Sequence, residues 1–479
     1  MTSTTTKETE ESSNDLARSG DVLRPSLVVL WATSPERIGE VLVPKSPHTT
    51  YIFGRGGRSD DDPHARISLV RQRPGRNDAQ EPLDDEHVSR VQLGLTWTGD
   101  RLTVENLGRR EMLDGDARPK KTLELLPGDL LEIRGKILFL CVARPPVLPA
   151  ARSWGKLAAP FGSADGFGFV GESPVAWKLR DSAAFLGARA AHVLLLGESG
   201  TGKEIAARMV HEISARKQKR LVSRNAATLP AGLIDAELFG HVANYPNAGM
   251  PERLGLVAEA DGSTLFLDEI GELSHELQTR LLRVLDERGE YQRLGDPRTR
   301  TSSFRLIAAT NRDASALKHD VAARFRLRLS VPPLAERRED IPLVALHLLR
   351  KAAVQDTEIG ERFLEGWDGR TGEPRLALAL VRELVKHDYK THVRELDSLL
   401  WASLASSPGH IAELTEETLL ALGDADPDSV APRIDVRELT ADAVKAAIDK
   451  AGGVHEKAWK DLGLANRHVL KRLVKKYGI

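Results

Sequence analysis

The stretch HVLLLGESGTGKE, His192–Glu204, decides how the rest of the chain is read. Its apolar run Val193–Leu196 has the length of a buried strand, the glycines at 197, 200 and 202 break that period, and Ile205, Met209 and Ile213 then recur at helical spacing. Strand, glycine loop and helix in that order make a phosphate cradle. Loop N–H groups and the positive end of the helix converge on an anion, and glycine lets the backbone approach it. The expected nucleotide-contacting residues are Gly197, Glu198, Ser199, Gly200, Thr201, Gly202, Lys203 and Glu204, with Lys203 as the point charge for the β and γ phosphates. Glu204 stands where the general motif has a metal-binding Ser or Thr, so the loop alone does not settle the assignment.

Support comes from further along the chain. STLFLDEIGEL, Ser263–Leu273, sets Asp268 and Glu269 at the end of a second apolar strand, where one carboxylate can hold Mg²⁺ and the other can orient a water toward the γ phosphate. A lone Asp-Glu pair after a strand is usually a helix cap; beside a phosphate loop it gains a catalytic reading. A third strand ends in Thr310-Asn311, placing Asn311 where a polar side chain can sense the γ phosphate. Strands alternating with helical patterns from about 168 to 335 predict a parallel α/β sheet, and 336–404 reads as helical throughout.

Composition bounds the alternatives. The 479 residues are 41% hydrophobic and 29% charged, which fits several globular domains, and no apolar run approaches the ~18 residues that span a bilayer. Residues 1–22 are polar and acidic at their start and read as a tail rather than a secretory leader, so the expected location is cytoplasmic, with no membrane partner. The lone cysteine, Cys141, sits in ILFLCVA and reads as a buried small hydrophobe. Net charge is -1, so any basic, nucleic-acid-binding face must be local. Residues 23–143 alternate short β-type runs with turn clusters, 144–167 read as a Pro- and Ala-rich linker, 405–436 as a second linker, and 437–479 as a small helical module.

Five segments carry a resemblance over about 235 residues, 168–404: Gly197–Glu204, Asn225–Gly240, GSTLFLDEIGEL, RLIAATNRD and LAERREDIP. Together they are similar to the AAA+ ATPase domain of bacterial sigma-54-dependent transcriptional activators, a family that carries Glu after the loop lysine. The resemblance implies ATP with Mg²⁺ as cofactors, Mg²⁺ on Asp268, Glu269 as the water-orienting base, and Asn225 as the residue that restrains Glu269 until the γ phosphate is read. It also implies Arg324, in DVAARF, as an arginine finger supplied across a subunit boundary of an ATPase ring, and Arg394, in THVREL, as a second sensor in the helical lid, 336–404. The expected partners are RNA polymerase with sigma-54 and promoter-upstream DNA.

One segment departs from that family. Its sigma-54-contacting loop reads GAFTGA, whereas the same interval here, between Glu237–His241 and Arg253–Gly255, reads Asn244-Tyr245-Pro246-Asn247-Ala248-Gly249. Proline in place of phenylalanine removes a stacking surface and an N–H donor. Two readings follow: an ATP-driven activator of sigma-54 polymerase, or a DNA-binding regulator that uses ATP without engaging sigma-54.

The ends complete the expected architecture. Residues 454–479 hold seven Lys and Arg against two acids, and two helical patterns joined at Gly463 resemble a Fis-type helix-turn-helix. Arg467, His468, Lys471 and Arg472 lie on its second, DNA-reading helix. In 23–143, Gly54-Arg55, Ser89-Arg90 in HVSRVQL and Asn106-Leu107-Gly108 resemble a forkhead-associated (FHA) sandwich, which implies a phosphothreonine protein, or another protein ligand, at Arg55, Ser89 and Arg90. Gln92 stands at that family's structural histidine, and Glu111-Met112 at its peptide-gripping Asn-Gly. The fold expected for the whole is multidomain: an all-β sandwich, an α/β P-loop ATPase with a helical lid, and a small all-α module.

Overall fold

The computed structural model describes residues 23–56, 65–152, 159–228, 232–286, 289–311, 317–423 and 445. The expected tail, 1–22, and the residues expected to read DNA, Arg467, His468, Lys471 and Arg472, lie outside the described residues.

The N-terminal part is a two-sheet β-sandwich. One sheet runs in the order Pro119–Lys120, Met112–Asp114, Leu130–Ile133, Ile137–Arg144, Arg24–Ala32, Val41–Leu42, Val70–Arg73 and Arg76–Ala79. The other runs Thr122–Leu125, Arg101–Asn106, Leu93–Thr98, Tyr51–Phe53 and Ala65–Arg66. Strand Arg101–Asn106 buries every second residue, Leu102, Val104 and Asn106, as a sheet with one wet face requires. Strand Arg24–Ala32 buries nearly all of its residues because both its faces are covered. Leu27 and Val29 enter the sandwich core beside Leu93, Leu95 and Phe139, whereas the strand also packs against helix Leu378–Lys386. Cys141 is fully buried in that core, and burial pushes its thiol up to about 12, so it is an inert hydrophobe as expected.

The α/β part carries five parallel strands in the order Val222–Asn225, Thr264–Asp268, Arg305–Thr310, Val193–Leu196 and Leu327–Ser330. Register pairs Asn225 with Asp268 and Leu196 with Thr310, so the residues that follow these strands gather at one carboxyl edge, where open α/β sheets bind ligands. Helices Pro174–Gly187 and Lys203–Ile213 bury Ala183, Ala207, Met209 and Val210 with Val193, Leu195 and Ile307 of the sheet.

Three expectations about boundaries change. Residues 336–404 are not helical throughout: between helices Thr357–Phe363 and Leu378–Lys386 a hairpin pairs Leu364–Glu365 with Glu373–Pro374. Its turn is made by Asp368, whose Oδ1 accepts from Arg370 N (2.9 Å) and Thr371 N (2.6 Å), so the local turn chemistry of DGRTGEP outweighs the helical period on either side. Helix Val393–Ser406 continues past 404, and helix Glu416–Ala421, capped by Thr415, forms inside the expected second linker.

The expected linker 144–167 is packed where it is described. Leu148 is 2% exposed and joins the apolar cluster of the α/β sheet, and Arg73 Nη1 donates to Ala159 O (2.8 Å). The Phe161 ring lies under the guanidinium groups of Arg71 and Arg73. Proline and alanine break every period in this segment, but its burial comes from filling the seam between sandwich and sheet, which a period cannot report. Buried ion pairs cross the same seam: Arg144 to Glu339 (2.6 Å), Arg73 to Glu172 (2.8 Å), and Arg382 to Glu132. Trp31 Nε1 also donates across it to Leu376 O (2.7 Å).

Candidate functional site

A cleft of 670 Å³ opens at the carboxyl edge of the parallel sheet. Ser199, Gly200, Thr201, Gly202, Lys203 and Glu204 line one side, Asn225, Asp268 and Glu269 another, and Val393 and Arg394 face them from the helical part. Gly200 and Gly202 hold φ of 85° and 104°, backbone that glycine adopts without a steric penalty, and a Cβ at Gly200 would strike the Thr391 carbonyl. Gly197 and Glu198 do not line the cleft; their carbonyls accept from Lys203 Nζ at 2.9 and 3.2 Å and aim it.

Lys203 is 5% exposed and stands 3.7 Å from Glu269 Oε1. Glu269 sits in the left-handed region (φ 54°), an unusual backbone for a non-glycine residue, and its other oxygen accepts from Asn311 N (3.2 Å). Asp268 Oδ1 accepts from Glu269 N (3.0 Å). One cation and two carboxylates thus converge on one spot, as phosphoryl chemistry requires. Asn225 lines the cleft, but its Oδ1 accepts from Ala227 N (2.8 Å), and Glu269 is held by Lys203 and Asn311 N instead. Asn311 acts here through its backbone and is exposed.

Arg394 Nη1 donates to Ser199 Oγ (2.9 Å), so this arginine reaches the loop. Arg324 ends helix His319–Arg324 away from the cleft, about half exposed and paired with Asp286 (2.6 Å). A guanidinium there cannot serve its own cleft without moving.

Sequence reasoning missed two groups. Phe167, Gly168, Phe169 and Val170, with His347 and Lys351, close the far side of the cleft. Asp165 Oδ1 shapes that wall by accepting from Phe167 N and Phe169 N (both 3.0 Å). Burial, with Lys351 and Arg350 nearby, holds the His347 imidazole below its usual range, so it is neutral at pH 7. The second group is a clasp: buried His392 Nε2 bonds Glu198 Oε2 (3.0 Å), and Val393 N donates to Gly200 O (3.2 Å). His392 takes φ 50°, a conformation that asparagine and glycine favour.

Among the described residues no three His, Cys, Asp or Glu side chains cluster as a metal cage. Mg²⁺ does not need one, since it takes one or two carboxylates plus phosphate oxygens and water. Asp268, on the cleft wall beside the Lys203 cradle, fits that requirement.

Two surface loops complete the inventory. Residues 242–252 project from a base where His241 bridges Arg253 and Leu294, and Arg253 grips Glu237 with two bonds (2.5 and 2.6 Å). Asn244 Oδ1 accepts from Gly249 N (2.8 Å), and the Tyr245 ring lies against Gly295. On the sandwich, Ser89 Oγ accepts from Arg109 N (3.1 Å) and Arg55 N donates to Ser89 O (3.0 Å). Gln92 is fully buried: its Oε1 accepts from Ser89 N (3.1 Å), and its Nε2 donates to Asn106 Oδ1 (2.8 Å) and Arg110 O (2.9 Å). The glutamine therefore braces the Ser89 loop. Gly54 lets that loop approach, since a Cβ there would meet the Ser89 and Arg90 carbonyls.

A family model described as the Sigma-54 interaction domain matches residues 169–334. The transcriptional regulatory protein ZraR of Escherichia coli O157:H7 is 37% identical over 327 residues, covering 66% of this chain and 70% of that protein. The Nif-specific regulatory protein of Azotobacter vinelandii is 34% identical over 317 residues, covering 64% of this chain and 58% of that protein. A crystal structure of NtrX from Brucella abortus in complex with ADP aligns at 25% identity with a TM-score of 0.47, over 65% of this chain and 70% of that one. From the P-loop cleft, the matched domain and the extent of the shared sequence, the chain belongs to the sigma-54-dependent family of transcriptional regulators.

Proposed function

We propose that this chain is an ATP-hydrolysing, ring-forming regulator of transcription, anchored on promoter-upstream DNA by its C-terminal basic module and controlled through its sandwich. The observation that carries the reading is the convergence of Lys203, Asp268, Glu269 and Arg394 on one cleft, with Arg324 held outside it. In this reading Lys203 and the loop N–H groups bind the β and γ phosphates, Glu269 takes the proton of the attacking water, and Arg394 and the His392–Glu198 clasp report occupancy to the lid. Asp268 would help hold Mg²⁺, which would supply charge neutralisation at the phosphates. Arg324 completes the site of a neighbouring subunit. The test is a mixing experiment: Arg324→Ala and Glu269→Gln proteins, each nearly inactive, regain some turnover when mixed, and absence of rescue removes the shared site.

The loop at 244–249 favours a second reading for the output. Its base is held as a projecting loop requires, but Tyr245 is folded onto Gly295, and the tip presents Pro246 and Asn247. This supports a regulator that hydrolyses ATP and binds DNA without engaging sigma-54. A purified sigma-54 promoter complex separates the two: opening by the unmodified protein establishes the activator, whereas opening only after Pro246→Phe and Asn247→Thr establishes a disabled loop.

For the input, the Ser89 loop with Arg55 and Arg90 is proposed to read phosphothreonine, with Gln92 doing the bracing. Arg55→Ala and Ser89→Ala each should weaken a phosphothreonine peptide by about 1.5 to 3 kcal/mol, one charge-assisted bond.

A further inference from the structure

The far wall of the cleft is held from behind by the sandwich. Wall residues Phe167–Val170 run straight into Gly171, Glu172 and Ser173, and this segment is bonded to the short helical turn Leu334–Asp340. Arg337 Nη1 donates to Val170 O (3.2 Å), with its guanidinium 4.8 Å from the centre of the Phe169 ring. Asp340 Oδ1 accepts from Glu172 N (2.8 Å) and Ser173 N (3.0 Å). Each of these two segments also presents a buried carboxylate to a sandwich arginine. Arg73 Nη2 donates to Glu172 Oε1 (2.8 Å), and Arg144 Nη2 donates to Glu339 Oε2 (2.6 Å). Glu172 is tied on its own side as well, with Oε1 accepting from Gly162 N (2.9 Å) and Oε2 from Trp177 Nε1 (3.1 Å).

Adhesion alone does not call for ions at this seam. Taking two charges out of water is costly, and an apolar pair of similar volume joins two surfaces as well or better. What a hydrogen-bonded ion pair adds is direction, because a guanidinium fork fixes where its carboxylate sits, whereas apolar side chains slide. The backbone that these forks fix is the backbone of the cleft wall. A triphosphate held by Lys203 and the loop would direct its base away from them, toward Phe167–Val170, Val344 and Leu348, a largely apolar surface shared with the neutral His347.

We propose that Arg73 and Arg144 of the sandwich are positioning residues for the nucleobase: they set the wall against which the base packs. The inference rests on the nucleotide reading of the cleft. Affinity for the base then depends on how the sandwich is docked, and affinity for the phosphates does not. The phosphate loop is set independently, since Gly200 and Gly202 fix its backbone and the Gly197 and Glu198 carbonyls of the same loop aim its lysine. Any event that shifts the sandwich is thereby read as a change in grip on the base.

The test compares two ligands on the full chain by equilibrium titration: ATP, and inorganic tripolyphosphate, which carries phosphates without base or sugar. The unmodified chain should bind ATP more tightly. Arg73→Gln should weaken ATP about tenfold and leave tripolyphosphate within about twofold, so that intact tripolyphosphate binding also reports a folded cleft. Arg382→Met breaks another ion pair of the same seam, with Glu132, and neither residue lines the cleft, so it should shift neither ligand. Arg73→Lys keeps a charge on Glu172 but gives up the bond to Ala159 O, and should weaken ATP about threefold. It carries the same comparison where the glutamine variant fails to fold by circular dichroism. An unchanged preference for ATP in the folded Arg73 variants overturns the proposal. Parallel loss of both ligands in a folded variant, or an equal loss of ATP in Arg382→Met, reduces the arginines to adhesion and overturns it too. An unmodified chain that binds ATP and tripolyphosphate equally overturns the base wall and leaves the phosphate cradle standing. One that binds neither overturns the nucleotide reading itself.

Discussion

The phosphate loop of the α/β part and the Ser89 loop of the sandwich, which we propose reads phosphothreonine, are put together in opposite ways. The first is made of backbone: eight consecutive residues, with conformations fixed at Gly200 and Gly202 and one lysine aimed by two carbonyls. The second draws on residues of three separate loops, Arg55, Ser89 and Arg109, and its Ser89 loop stands on the hydrogen bonds of a single buried glutamine side chain. A backbone site must be spelled in glycines and tolerates few other spellings. A side-chain site needs only a brace that accepts one bond and donates another, so Gln92 fills a position where a histidine was expected.

The largest effect expected from breaking this contrast lies where the two parts meet. Arg144→Ala leaves Glu339 buried without its partner and should cost about 3 to 5 kcal/mol, measured by denaturant unfolding. The double change Arg144→Met with Glu339→Leu should recover most of that loss, because an apolar pair of similar volume needs no partner. At the backbone site, Lys203→Ala should weaken ATP about a hundredfold, near 3 kcal/mol, by equilibrium titration, while Glu269→Gln keeps affinity and loses turnover. At the side-chain site, Gln92→Ala strands Ser89 N and should destabilise the sandwich by about 1 to 3 kcal/mol, with Gln92→His restoring it because imidazole can also accept once and donate once. If Gln92→Ala is silent in calorimetry, the brace is not what holds the loop.

Acid gives the smallest and most regional effect. Burial holds His192 and His211 below the usual imidazole range, and His192 Nδ1 accepts from Leu306 N (2.9 Å), which only the neutral ring can do. Unfolded chain therefore takes up protons first, and this stability is lost as pH falls below about 6.5. In the sandwich, burial pushes Asp85 and Asp114 up, but N–H donors and Lys136 or Lys120 outweigh it and hold both low, so their contribution lasts until pH drops below about 3.8. Hydrogen exchange at pH 7 and pH 5, corrected for intrinsic rates, should show loosening of the α/β strands and little change in the sandwich.

Legibility follows the same division. Val193–Lys203 and Asp268–Glu269 are continuous in sequence and were readable because the covalent chain fixes their geometry. Phe167–Val170, His347 and Lys351 share the cleft without sharing any spacing, since only the packing of the wall and helix Ile341–Gln355 brings them together. The His392–Glu198 clasp is likewise a product of docking between residues 194 positions apart. The doubly covered strand Arg24–Ala32 showed its run of apolar letters, but nothing in those letters named the helix Leu378–Lys386 that covers its second face. Arg324 and Arg394 were assigned through resemblance; one was brought to the cleft and the other left at the surface.

The seam also constrains how such a molecule can be inherited. Arg73 and Arg144 belong to the sandwich, whereas their acids, Glu172 and Glu339, belong to the segment and helices of the α/β part. A sandwich recombined from another lineage would arrive without those arginines and strand two carboxylates away from water, so domain exchange here is not a free move. Positions 73 with 172, and 144 with 339, should change together across descendants that keep both parts, switching as pairs between charged and apolar rather than drifting singly.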